Sequence, residues 1–285
     1  MMADRGSRLE PADTGGGAVL PLKREGMYEG ELVLVNREHP VRVPPRNLAP
    51  VPELYLRTDR PEEPRIRLER ACLSQLVALL RECRAGGRIS VVSGYRSREA
   101  QEKLYADSLR ENGAAFTASY VALPGASEHQ TGLAVDVGLA GEDTDYIRPD
   151  FPDNGVCADF RRLAAQFGFV QRYREEKTPI TGIACEPWHY RYVGFPHSAI
   201  MEREGLCLEE YTEYVKVHAG GSSRLVYENR EARFEIGYVA AAGDRTNVPV
   251  PEAVPEDCRR LSGNNKDGFV VTTAFPAGRS DRHGR

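Results

Sequence analysis

Apolar positions along the chain change period several times, and each change marks an element. Between Ile66 and Arg84, the residues Leu68, Cys72, Leu76, Leu79, Leu80 and Cys83 recur at helical spacing, with Arg and Glu between them. An amphipathic helix is predicted there, ended by Gly86 and Gly87. Residues 89–92 then read as a strand that leads into Ser93-Gly94-Tyr95-Arg96. Ser97 is a cap for a following helix that runs to about Asn112. Over residues 133–137 the period drops to two. Leu133, Val135 and Val137 share one face, and Ala134 and Asp136 share the other, which buries the first and turns the carboxylate toward a cleft. Further on, the pattern predicts a helix over 157–167 with Gly168 at its end, a strand over 188–193, and helices over 196–204 and 206–218. Residues 31–36 form a short apolar run that reads as a strand. Seven prolines between Pro40 and Pro64 exclude regular helix from that stretch.

Helices interleaved with short strands predict an α+β fold, in which helices flank a small antiparallel sheet. Residues 27–218 form its main domain. Beyond Gly220 and Gly221, Phe234, Ile236 and Tyr238 alternate with polar or small residues, and residues 268–272 are a second strand candidate. Residues 224–275 therefore read as a small β-rich appendage, with 1–26 and 276–285 as disordered tails.

Composition narrows the function classes. A chain of 285 residues with 28% charged residues and a net charge of -4 does not suit nucleic acid or an anionic membrane surface. Its mean hydropathy is -0.48. No segment has the length and apolarity of a membrane span, and the polar start lacks the apolar stretch of an export signal, so a cytoplasmic home is expected. The six cysteines are scattered without a C-x-x-C, which fits reduced, mostly buried thiols.

The chemistry concentrates in two segments, residues 127–137 (SEHQTGLAVDV) and 186–194 (EPWHYRYVG). His129, Asp136 and His189 offer two imidazoles and a carboxylate, a three-ligand set for a divalent metal such as zinc, with one position open for water. Glu186 is left over as a base for that water, the requirement for metal-assisted hydrolysis. In a regular strand Glu186 and His189 would face opposite sides, because their offset is odd; Pro187 marks a break that lets both reach one cleft. A structural zinc would want a fourth protein ligand, and no cysteine has the spacing for one.

These residues resemble the zinc peptidases that trim D-alanine from cell-wall peptides, the VanY and VanXY type, within the wider lysostaphin, D-Ala-D-Ala peptidase and hedgehog group. The family pattern is S-x-H-x6-D followed by E-P-W-H, with an upstream S-G-Y-R. It occurs here in order as Ser93-Gly94-Tyr95-Arg96, Ser127 to Asp136, and Glu186-Pro187-Trp188-His189. The likeness runs from about Glu31 to about Val217. It implies a zinc D,D-peptidase of the glycopeptide-resistance type, acting on D-Ala-D-Ala or on peptides that end in it, with the zinc site on the antiparallel sheet. It implies that Arg96 stabilises the oxyanion or holds the substrate end, and that Gln101 and Ser127 contact substrate. Trp188 either walls the site or is purely structural, and Tyr95 is a core or a cleft residue. Two alternatives share the metal site: an L,D-carboxypeptidase or stem-peptide endopeptidase, with specificity set by loops such as 113–124, and a zinc-binding interaction module without activity.

Overall fold

The computed structural model describes residues 7–11, 17–56, 65–141, 147–220, 223–251 and 254–276. The strands are β1 (Ser7–Pro11), β2 (Gly17–Lys23), β3 (Leu48–Pro50), β4 (Arg67–Glu69), β5 (Ile89–Ser93), β6 (Ala134–Leu139) and β7 (Phe169–Tyr173). They continue with β8 (Glu186–Tyr192), β9 (Ser223–Glu228), β10 (Ala232–Ala240), β11 (Arg245–Pro251), β12 (Arg259–Gly263) and β13 (Gly268–Pro276). The helices are α1 (Arg70–Glu82), α2 (Arg98–Tyr120), α3 (Gly155–Ala164), α4 (Thr178–Thr181), α5 (His197–Glu204) and α6 (Leu208–Ala219). The chain divides into two compact units, Leu34–Glu209 and the chain before and after it.

In the Leu34–Glu209 unit a sheet runs in the order β5-β6-β8-β7, every pair antiparallel. This is the small antiparallel sheet of the expected α+β fold. α1 buries Cys72, Leu76, Leu79 and Leu80, and α3 buries Val156, Cys157, Phe160 and Leu163. Burial of each larger side chain among these is worth about 1.5–3 kcal/mol. Phe151, Phe160 and Tyr190 meet edge to face, with centroids between 4.9 and 5.9 Å apart.

Several boundaries differ from those read in the sequence, each for a local reason. The first helix starts at Arg70 rather than Ile66, because residues 67–69 pair with residues 48–50 instead. Glu69 Oε2 accepts the Ala71 and Cys72 N–H groups at 2.7 and 3.2 Å, which caps α1. Ser97 caps α2 as expected, its Oγ accepting the Ala100 N–H at 3.2 Å. The helix does not stop at Asn112. Gly113 takes φ 82° and breaks it, but helix resumes beyond. Thr117 Oγ1 donates to the Gly113 carbonyl at 2.9 Å and meets Ser108 Oγ at 2.8 Å, which ties the two segments together. The expected loop at 113–124 is thus helical as far as Tyr120. Residues 31–36 form no strand, although Leu32, Val33, Leu34 and Val35 are all buried.

The other unit corrects the expected tail. Residues 7–11 pair with β9 and residues 17–23 with β11, so the N-terminal segment supplies strands to the β-rich unit. A five-stranded sheet runs β1-β9-β10-β13-β12 beside the β2-β11 pair. Met27, Val248, Val250, Phe269 and Val271 form a core cluster there. The expected strands at Phe234–Tyr238 and 268–272 lie within β10 and β13. Residues 1–6, 277–285 and most of the glycine linker after Gly220 lie outside the described residues. Among the described residues, no helix is long and apolar enough to cross a membrane, and all six cysteines are free.

Candidate active site

The site begins where β5 loses register. Val91 faces Val137, but Ser93 faces Asp136, a bulge that lets the chain turn off the sheet. Gly94 follows. A Cβ there would sit 2.6 Å from the Arg67 carbonyl oxygen and 2.7 Å from Ile66 Cγ2, so only glycine lets the backbones approach this closely. The Tyr95 N–H then donates to the Arg67 carbonyl at 2.7 Å, and the Arg96 N–H to the His129 carbonyl at 3.1 Å.

Asp136 on β6 and His189 on β8 face each other directly. His129 comes from the 3-10 turn Glu128–Thr131 that precedes β6. Asp136 Oδ2 lies 3.1 Å from His129 Nε2, and Oδ1 lies 2.9 Å from His189 Nδ1. All three side chains are buried, and one donor atom from each falls within 4.8 Å of the others. His129 Nδ1 lies 2.8 Å from the Gly94 carbonyl. A carbonyl only accepts, so Nδ1 carries the proton and Nε2 keeps its lone pair for the cluster. Two nitrogens and a carboxylate converge with no fourth protein donor among the described residues, which fits an open zinc site.

Electrostatics within the cluster are strongly coupled. Burial pushes the Asp136 carboxyl up, but the facing imidazoles outweigh it and hold it well below the ordinary range. Burial pulls the His129 imidazole down. It acts on His189 in the same sense, yet hydrogen bonds to Asp136 and Glu128 raise that imidazole to about 10. A divalent cation would compete with the proton for these nitrogens.

Glu186 enters the same cavity by a second irregularity. Gln171 faces Tyr190, whereas Tyr173 faces Glu186. A two-residue step on β7 is thus met by a four-residue step on β8, around Pro187 and Trp188. Glu186 Oε2 ends 3.7 Å from His189 Nδ1. Burial, first of all, pushes its carboxyl up to about 8. The cavity holds about 270 Å³, and Arg96, Gln101, Ser127, Tyr173 and Trp188 line it with the four residues above.

The remaining site candidates separate. Arg96 donates to Gln101 Oε1 at 2.9 Å and to Ser93 Oγ at 3.0 Å. Both partners are neutral, so its charge stays directed at Asp136 and Glu186, the two carboxylates that act on it. Gln101 also donates to the Ala122 carbonyl at 2.8 Å, so its amide is engaged at both ends and orients Arg96. Ser127 and Trp188 are buried at the cavity wall. Tyr95 is not among the lining residues; Arg67 lies over its ring, 5.5 Å from the centroid. Two neighbours went unread in the sequence. The Tyr173 ring packs 4.9 Å from that of His189, and Glu128 Oε2 lies 3.4 Å from His189 Nε2. The available signal was a charged residue directly before a ligand, with arginines inside otherwise buried strands.

A family model, VanY, described as D-alanyl-D-alanine carboxypeptidase, matches residues 65–195. The chain is 43% identical over 185 residues to the bifunctional D-Ala-D-Ala dipeptidase and D-Ala-D-Ala carboxypeptidase VanXYC of Enterococcus gallinarum, covering 65% of this chain and 94% of that one. It is 35% identical over 266 residues to a D-alanyl-D-alanine carboxypeptidase of Enterococcus faecium, covering 90% and 78%. The solved structure of the vancomycin-resistance D,D-dipeptidase VanXYg with a D-Ala-D-Ala phosphinate analogue superimposes with a TM-score of 0.85 at 44% identity, covering 92% of this chain and all of that one.

Proposed function

The chain belongs to the VanY family of D-alanyl-D-alanine carboxypeptidases, and we propose that it is a zinc-dependent D,D-peptidase of the glycopeptide-resistance type. Its substrates are the free dipeptide D-Ala-D-Ala and peptidoglycan precursor peptides that end in it. The observation that carries this reading is the convergence of His129, Asp136, His189, Glu186 and Arg96 on one cavity of about 270 Å³. The 43% identity to a bifunctional D-Ala-D-Ala dipeptidase and carboxypeptidase supports the two-activity version. Free cysteines throughout support a reducing compartment, where those precursors are made.

His129 Nε2, His189 Nδ1 and a carboxylate oxygen of Asp136 would hold the zinc. When bound, the ion supplies Lewis acidity, which polarises the scissile carbonyl and brings the pKa of water to about 7. Glu186 accepts the proton that the attacking water gives up, and hands it to the nitrogen of the departing D-alanine. A buried carboxyl with a raised affinity for protons suits both transfers near neutral pH. Arg96, held by Ser93 and Gln101, keeps a fixed positive charge where the carbonyl oxygen becomes negative. Ser127 and Trp188 wall the space that the terminal residue fills.

Incubation with D-Ala-D-Ala, with a pentapeptide ending in it and with the tetrapeptide tests this, with and without a chelator. D-Alanine should be released from the first two and from neither after chelation. Release from the tetrapeptide alone would make the enzyme an L,D-carboxypeptidase. Zinc binding with no release from any of them would leave a binding module.

A further inference from the structure

Glu128 stands between the two histidine ligands without joining the cluster. It directly precedes His129 in the chain, and its carboxylate reaches His189 on another element. Its side chain is fully buried, and so are those of Arg172 and Arg191. Oε1 accepts from Arg172 Nε at 2.8 Å and from Arg191 Nη1 at 2.9 Å. Glu209 grips the other edge of the Arg172 guanidinium, its oxygens 2.9 and 2.7 Å from Nη1 and Nη2. Two arginines and two glutamates make a neutral set, which is how such charges are tolerated out of water.

The orientation of the carboxylate is therefore fixed from one side. With Oε1 held by two guanidiniums, Oε2 is the atom left facing His189, 3.4 Å from Nε2. Both nitrogens of His189 face a carboxylate, so a cation taken up at Nδ1 leaves the remaining proton on Nε2, toward Oε2 of Glu128. Nδ1, the nitrogen 2.9 Å from Asp136, gives up its proton when it presents a lone pair to the cation. Arg191 lies two positions along β8 from His189, on the same face of the strand, so the anchor and the ligand share one rigid element.

The geometry points to Glu128 as the positioning residue of the metal centre: clamped by Arg172 and Arg191, it sets which nitrogen of His189 meets the cation and at what angle. Its carboxylate lies outside the three-ligand group. The inference rests on the reading of His129, Asp136 and His189 as zinc ligands. A buried ion-pair network with no bearing on the metal would fold the chain equally well, so the test reads the metal.

Zinc dissociation constants of the wild type and of Glu128→Gln, measured by competition with a chelating dye, are compared with zinc-free melting curves. Glutamine keeps the size and removes the charge that the arginines orient. Zinc should bind roughly 10–100-fold more weakly to the folded variant. At saturating zinc, kcat for D-Ala-D-Ala should fall while KM stays within about twofold. An unchanged zinc affinity in folded Glu128→Gln, with only the melting curve lowered, overturns the inference. If that variant does not fold, nitrogen NMR of histidine-labelled, zinc-loaded wild type decides: a proton on His189 Nε2 supports it, and a proton on Nδ1 overturns it. A wild type that binds no zinc would instead remove the ligand reading beneath it.

Discussion

Glu186 Oε2 lies 3.7 Å from His189 Nδ1, so the proposed proton carrier and a proposed metal donor share one cavity. Both come from β8, where the strand slips against β7 around Pro187 and Trp188. The spacing between base and ligand is thus set by one irregular turn of strand and not by a mobile loop.

Replacing Glu186 with Gln keeps the shape of that turn and removes the proton acceptor. Zinc content should be unchanged, and turnover of D-Ala-D-Ala should fall at least ~100-fold. Elemental analysis beside steady-state kinetics checks both halves. Near-normal turnover would mean that another group carries the proton.

His129→Ala removes one of three donors and leaves a buried carboxylate facing a single imidazole. The wild type should carry about one zinc per chain, and the variant almost none. A variant that holds its zinc through dialysis would show that the ion sits elsewhere.

Arg96→Lys separates three roles for the guanidinium. Its hydrogen bonds run to Gln101 and Ser93, both neutral, so loss of an ion pair is not the expected outcome. An ammonium lacks the planar fork and cannot keep both contacts. The expected result is a clear drop in kcat with a smaller change in KM. A raised KM with kcat intact would assign the residue to the substrate carboxylate. A change confined to the melting temperature would remove it from the reaction.

Glu209→Gln tests the far end of the buried network. Burial pushes the Glu209 carboxyl up, but Arg172 outweighs it and holds the group below its ordinary value. A depressed carboxyl stabilises the fold above its unfolded pKa of about 4.3, and that contribution is lost as pH falls through the lower folded value. The variant should therefore lose about 3 kcal/mol at pH 7, as expected for a broken buried pair. The gap from wild type should narrow toward pH 3. Urea melts at the two pH values measure it; an equal gap at both would mean that charge is not the cause.

That His129, Asp136, His189 and Glu186 share one cavity was legible in the sequence because the pattern is local: each sits in a short string whose residue types already suggest a ligand set. Arg96 was legible for the same reason. Tyr95 sits in one of those strings too, yet its ring packs beside Arg67, since a motif does not say which way each side chain turns. Glu128, Arg172 and Arg191 could not be read, because they come together from three separate elements and look individually like surface charges. The helix boundaries that moved did so through single side chains, the cap made by Glu69 and the Thr117 contact across the Gly113 break. The N-terminal strands escaped notice: β1 is short and mostly polar and carries almost no hydrophobic signal until its partner is known, and the apolar run of β2 is broken by Pro21.

A ribosome releases β1 long before β9. Arg8 and Glu228, which meet across that pair, are 220 positions apart. At roughly 5–20 residues per second, tens of seconds separate their emergence. In that interval the Leu34–Glu209 segment appears whole and without interruption, while the β-rich unit is only half made. The catalytic part of the chain is complete before its two ends can be joined. A chain released early would carry the His129, Asp136 and His189 cluster complete but N-terminal strands with no partner, and such edges are open to pairing with another copy.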